Sequence, residues 1–488
     1  LTWSLTSGTL PSGLTLSSDG VLSGTPATGG TLALTVRVVD STSDQNSRAL
    51  TLILDDAPLI TSTAPGEGGI GLPWSYPVIA VGKTPRTLTV ITGPAGMTVS
   101  GSTLTWTPTV AGTESVTIRV SNGVSPVAEQ HFTISSAARG IPLRPSSPAY
   151  LGMPADPASL PTLLSTTGTF SDTASLTPVA ALIPYSLNLP FWSDHAVKTR
   201  WLAVPDGQTV GWSADGQWTF PTGTVFVKHF AIALDESQPS VLHRLETRIL
   251  VQDAAGIHGA SYRWNAAGTD ATVVLAAATE MLSVTTASGT RAQEWYYPST
   301  TDCLACHSTN SGLVLGLNSR QLTRDMTYPS ATEQQLAAWR FAGLFSAAPS
   351  DAAIAAVVRL SAIGAPGASL ELQARSYLDV NCAPCHRPGG APASFDARFT
   401  TALASAGLLD GVVADPLGIA GARVVAPGNP AASIMLVRAL SADPSIRMPR
   451  IGRRTTDVPG TTMLRDWILS TSTSPTPSTS EDEPKRCS

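Results

Sequence analysis

Apolar and polar positions alternate with a period of two through most of the first 300 residues, the pattern of half-buried strands. T-L-A-L-T-V-R-V-V-D (31–40) and R-A-L-T-L-I-L (48–54) are the clearest early runs, and the turns P-S-G, S-D-G and S-G-T-P separate them. A second set follows at 103–109, 114–123 and 131–135, with Val and Ile on one face and Thr and Ser on the other. The stretch 137–150 holds three prolines and no period, so it reads as a linker. Strands resume at 199–204, 224–234, 243–251 and 259–264, in a region rich in tryptophan (Trp192, Trp201, Trp212, Trp218, Trp264 and Trp295). Beyond 300 the period lengthens, and helices are predicted at 332–345, 351–361, 369–380 and 461–469. The end, 471–488, is rich in Ser, Thr and Pro and then acidic, a composition that stays unfolded alone.

These patterns divide the chain into segments 1–56, 57–136, 137–150, 151–368, 369–470 and 471–488. The run L-P-S-G-L-T-L-S-S-D-G-V-L-S-G-T-P (10–26) resembles an immunoglobulin-like repeat of bacterial surface proteins. In that family one or two strands come before the L-T-W-S-L found here at Leu1–Leu5, so the first sandwich is expected to have an open edge and the chain to be processed or incomplete at its start. Such an edge can be completed by a strand from another copy, which would build a filament. Segment 57–136 reads as a second, complete sandwich. Neither carries a catalytic constellation, and His131 reads as a structural strand histidine.

Composition narrows the partners. Charged residues make up 13% of the chain, lysines number four (Lys83, Lys198, Lys228 and Lys485), and the net charge is −5. With no basic run, nucleic acid is not an expected partner. No apolar run reaches the roughly 18 residues of a membrane span.

The chemistry concentrates in two short stretches, C-L-A-C-H (Cys303–His307) and C-A-P-C-H (Cys382–His386). C-x-x-C-H is the attachment pattern of a c-type haem. Cys303, Cys306, Cys382 and Cys385 would form thioethers to two porphyrins, and His307 and His386 would lie under the irons. A zinc ribbon is the competing reading, but its halves lie roughly 15–20 residues apart and need no histidine after each pair. Two haem c groups are therefore expected, and with them export, since c-type haem is attached outside the cytoplasm. Cys487 is left over and reads as a free thiol in a chain end.

The strings F-W-S-D, F-P-T-G-T-V-F-V-K-H-F, L-E-T-R-I-L-V, W-Y-Y-P-S and C-L-A-C-H…L-G-L-N-S-R-Q-L-T-R-D occur in this order, and they resemble a family of exported bacterial dihaem c-type cytochromes over about residues 150–470. Segment 369–470 further resembles an α-helical class I cytochrome c domain. Its S-I-R-M-P-R-I-G is similar to the distal-ligand loop of that class, which would make Met448 the second axial ligand of haem 2. Met435 and Met463 read as core. For haem 1, His229 in V-K-H-F is the favoured distal ligand, followed by His195 and Met326, while Arg320 and Arg324 could pair propionates.

The expected architecture is thus two all-β immunoglobulin-like sandwiches, a β-rich haem domain and an α-helical cytochrome c domain. The expected function is extracellular or periplasmic electron transfer, from haem 1 (His/His) to haem 2 (His/Met), toward redox proteins or an extracellular acceptor. The alternative is a dihaem enzyme such as a peroxidase, with an open position at haem 1.

Overall fold

The computed structural model describes residues 1–26, 29–391 and 394–473. The readings of Cys487 and of the tail from 474 onward lie outside the described residues. The chain forms two compact units, Leu1–Pro142 and Leu143–Ser488, with the boundary inside the proline-containing linker stretch.

In the first unit, Thr2–Ser7, Gly30–Val39 and Gln45–Leu54 form a three-stranded antiparallel sheet with Gly30–Val39 in the middle. A short hairpin, Leu14–Leu16 with Leu22–Gly24, accompanies it. Leu34 is the only hydrophobic residue of this sheet that is fully buried among the described residues. The Gln45–Leu54 strand pairs on one side alone, and it exposes Leu50 (42%) and Ile53 (67%). The second half is better closed. Thr87–Thr92, Gly112–Ser121, Ala128–Ala137 and Glu67–Gly69 form one sheet; Thr98–Ser100, Thr103–Trp106 and Trp74–Pro77 form another. Between them lie Trp74, Tyr76, Leu104, Val116, Ile118 and Ile134. His131 sits in this half, its Nδ1 3.0 Å from Thr117 Oγ1.

The second unit is built on a six-stranded antiparallel sheet in the order Ile183–Pro184, Val197–Ala203, Val225–Ala233, Leu242–Gln252, Ile257–Trp264, Ala271–Val273. Both faces are covered, which is why V-F-V-K-H-F-A-I-A reads as a nearly unbroken apolar run. One face carries Trp201, Val225, Val227, Ile249, Val251 and Tyr262 into a core with Leu151, Met153 and Leu164. The other carries Phe230, Ile232 and Leu245 against the hairpin Ala278–Thr286 with Gly289–Tyr297. In that hairpin A-T-E-M-L-S-V-T-T alternates with period two, and Leu282 and Val284 turn to the core.

Segment 369–470 corrects the expected architecture. It does not form a separate α-helical cytochrome c domain. Its helices, Leu370–Asn381, Ile434–Leu440 and Val458–Ser470, belong to the same compact unit as the sheet, and long irregular segments join them. Their core of Tyr377, Leu378, Leu436, Met463, Leu464 and Trp467 takes in Leu189 from the sheet's side. The molecule as described is mostly strand, with short helices. Three contacts explain why the segment does not stand alone. Trp192 N–H donates to Asn381 Oδ1 at 2.9 Å. The carboxylate of Asp194, 4% exposed, accepts from the backbone N–H of Arg454 (2.8 Å) and Thr455 (2.7 Å). Arg454 also pairs with Glu294 at 2.7 Å. Where the two long helices cross, Gly460 lets them touch: a Cβ there would lie 2.5 Å from Tyr377 Cε2.

Candidate functional site: the paired C-x-x-C-H loops

The first motif is the end of a single helix, Thr300–Cys306. Ser299 caps it through a reciprocal pair of hydrogen bonds with Asp302, at 3.3 and 2.9 Å. Tyr296 Oη donates to the same carboxylate at 2.7 Å, so the W-Y-Y-P-S-T-T-D run ahead of the motif sets the helix start. His307 is the C-cap residue, and its N–H donates to Cys303 O at 3.0 Å. Its Nδ1 lies 2.6 Å from Leu313 O. A carbonyl can only accept, so Nδ1 carries the proton and Nε2 is left as a free lone pair. Burial holds the His307 pKa down to about 4, which keeps the ring neutral at physiological pH.

The second motif follows the capped helix Leu370–Asn381. Cys382 N–H donates to Leu378 O (2.9 Å) and His386 N–H to Cys382 O (2.8 Å), so the loop continues the helix as a tight turn. The His386 ring stacks on Phe395 with centroids 4.6 Å apart. Its Nδ1 is buried and makes no hydrogen bond among the described residues.

The fold brings the two loops together. Arg387 Nη1 donates to Asn310 O at 3.2 Å, joining the residues just after each motif. With its amide turned to satisfy both neighbours, Asn310 also donates to Pro388 O and accepts from Gly390 N–H, each at 3.1 Å. Cys306 and Cys385 are near enough that the charge of one would raise the pKa of the other. Motif spacing in the sequence could not show this pairing, since it depends on a return of the chain across some seventy intervening residues.

All four thiols are free of disulfides. Burial pushes each thiol pKa up, that of Cys382 to about 12. Cys303 is buried, Cys306 and Cys382 are half-buried and Cys385 is exposed; thiols held protonated exchange slowly with disulfides, which argues against a dithiol oxidoreductase of the low-pKa kind.

The remaining sequence assignments fare differently. His229 does not face the first loop. Strand alternation puts it on the opposite side of the sheet from Lys228 and Phe230, where its Nδ1 is 2.9 Å from Thr247 Oγ1 and its ring stands edge-on to Trp264. The side chains that reach toward Cys303 and Cys306 are those of Lys228 and Arg248. The distal role given to His229, and the His/His pairing built on it, are therefore corrected: parity along a strand decides which side chain looks at the helix. His195 packs on Trp192 at 4.8 Å. Met326 lies in the short strand Asp325–Thr327. Met448 is half-buried in the loop between the Ile434–Leu440 and Val458–Ser470 helices, and its N–H donates to Arg438 O at 3.0 Å. Arg320 and Arg324 are engaged within the chain: Arg320 donates to Asp215 and to Val358 O (3.0 Å), and Arg324 to Leu187 O (2.6 Å).

The expectation of two haem c groups is also corrected. Among the described residues, no group of three or more His, Cys, Asp or Glu side chains converges where it could hold a metal ion.

Residues 1–54 match the family model described as Putative Ig domain, so the N-terminal segment is an immunoglobulin-like domain. No curated protein matches the chain. Among solved structures, Drosophila OTK extracellular domains 3-5 align over 28% of this chain and 51% of that one, at 13% identity and a TM-score of 0.21. Sidekick-1 immunoglobulin domains 1-4 cover 28% and 39%, at 16% and 0.20. The human Desmocollin-1 ectodomain covers 61% and 71%, at 9% and 0.19. The chain thus spans about half or less of the first two, and scores near 0.2 carry no conclusion about the whole fold. None of these matches supports the resemblance of residues 150–470 to exported dihaem cytochromes. No helix among the described residues is long and apolar enough to cross a membrane.

Proposed function

We propose that this protein transfers electrons outside the cytoplasm, with the two C-x-x-C-H loops acting as one redox unit. The adjacency of the loops carries this reading: each C-x-x-C pair can pass between dithiol and disulfide, releasing two electrons and two protons, and the pair beside it is placed to take them up. The neutral His307 with its free Nε2 and the buried, unpartnered Nδ1 of His386 add to it: both rings are held in place without being consumed by the fold. The immunoglobulin-like segment fits an address at the cell exterior, and it would hold the redox unit to a surface, a partner or another copy of the chain. The edge of Gln45–Leu54, unpaired and carrying exposed Ile53, is the place where a strand from a second copy would add.

Coulometric titration of the full chain, purified from an exporting host, tests this by counting electrons. Uptake and release of electrons by the wild type, lost when Cys303, Cys306, Cys382 and Cys385 are all replaced by alanine, is the expected result. A count of zero in the wild type, or the same count in both proteins, overturns it.

A further inference from the structure

The face of the sheet beneath the first loop is lined with positive charge. Arg200 on Val197–Ala203 lies directly across from Lys228 on Val225–Ala233, and Lys228 directly across from Arg248 on Leu242–Gln252. Lys198 stands two residues before Arg200 on the same face. Two of the four lysines in the chain are thus in this one place. Like charges directly opposite on neighbouring strands destabilise a sheet, so the arrangement calls for a compensating anion.

The fold supplies too little of it. Glu246, fully buried, accepts from Arg248 Nη2 at 2.5 Å and from Ser261 Oγ. Asp194 is taken up by the Arg454 and Thr455 amides, and Asp302 by Ser299 and Tyr296. Lys198 Nζ donates to Phe191 O at 2.7 Å, and Arg200 Nη1 to Lys198 O at 3.3 Å, neither of which is charged. Lys228 has no hydrogen-bond or ion-pair partner among the described residues; its ammonium lies 5.3 Å from the Phe230 ring, which Arg248 also overlies at 4.6 Å. Arg248 Nε is buried without a hydrogen bond. The remaining ionisable neighbours are Tyr185 beside Arg200, and Cys303, Cys306 and His307 from the loop above. Burial and then the two arginines bring the Lys228 pKa down to about 7. The Arg248 side chain remains 26% exposed, which leaves a way in from outside.

We infer that Lys198, Arg200, Lys228 and Arg248 form a binding site for a dianion, a phosphate or a pair of carboxylates, between the sheet and the Cys303–His307 loop. Guanidinium groups accept such oxygens in pairs and the lysines neutralise the second charge. The anion is a free small molecule, which would enter past the partly exposed Arg248 side chain. The site stands whether or not the loops carry electrons.

The test uses the full chain, its Lys228→Met and Lys228→Arg variants, and thermal unfolding in phosphate or succinate against chloride of matched ionic strength. A free anion raises Tm of the wild type and of Lys228→Arg by about 3–5 °C at saturating concentration, and leaves Lys228→Met unmoved. The inference is overturned if Lys228→Met responds to the anions as the wild type does, or if neither phosphate nor succinate moves the wild type.

Discussion

If His229 is a packed core residue and not a ligand, its protonation should work against the fold. It is 4% exposed, and its Nδ1 lies 2.9 Å from Thr247 Oγ1, which also accepts from Trp264 Nε1 at 3.0 Å. Burial first, and then the charge of Arg244, hold its pKa down from 6.5 to about 3. The native state therefore resists a proton that the unfolded chain takes up freely below pH 6.5. Stability contributed by the neutral ring is present above that pH and is lost as pH falls toward 3. Integrating proton uptake by the unfolded chain alone from pH 6.5 to 4.5 gives a loss of about 2 kcal/mol from this one side chain. His229→Asn keeps an acceptor oxygen near the place of Nδ1 and removes the titration. Guanidinium unfolding of both proteins, followed by tryptophan fluorescence at pH 6.5, 5.5 and 4.5, isolates the term, because all other groups cancel in the difference. The variant loses stability at pH 6.5 and recovers about 2 kcal/mol relative to the wild type by pH 4.5. Two stability curves that stay parallel within about 0.5 kcal/mol would refute the reasoning, since a shift of this size cannot be hidden at a site so enclosed.

Three further outcomes test the packing around the site. Asp194→Ala strands two buried amides on the Arg454–Thr455 turn, and is expected to cost about 3 kcal/mol in urea unfolding; a loss under about 1 kcal/mol would contradict the role given to that carboxylate. Gly460→Val drives a methyl-bearing carbon into Tyr377 where the two long helices cross, with an expected cost of about 2 kcal/mol and a lowered Tm by calorimetry. Ile53→Lys places a charge on the exposed edge strand, and sedimentation velocity should then show no association at concentrations where the wild type self-associates; identical profiles would remove that edge as the contact.

What could be read in the chain was local. The alternation of 31–40 and 48–54 marks strands, the Ser369 cap and the apolar spacing after it mark a helix, and the spacing of each C-x-x-C-H is plain. What could not be read depends on parity and return. Within V-F-V-K-H-F the two polar residues are adjacent and each has one apolar neighbour, so nothing in the run says whether Lys228 or His229 faces the cysteine helix. Only the strand's place between two others, with a helix on one side and the Trp201–Tyr262 core on the other, decides it. The same limit applies to segment 369–470. Its helices read as a self-contained domain because each has its own apolar stripe. The residues that bind them to the sheet, Asp194, Trp192 and Leu189, are scattered polar and apolar positions in a loop nearly two hundred residues earlier. Together these positions fasten the second motif beside the first. The chemistry of the site then follows from the join: two loops whose thiols are held protonated and whose imidazoles are held neutral, with Lys228 and Arg248 beside the first pair and Arg387 beside the second. Such a setting disfavours thiolate attack, and the anion site proposed there predicts that replacing Lys228, not His229, changes what that strand binds.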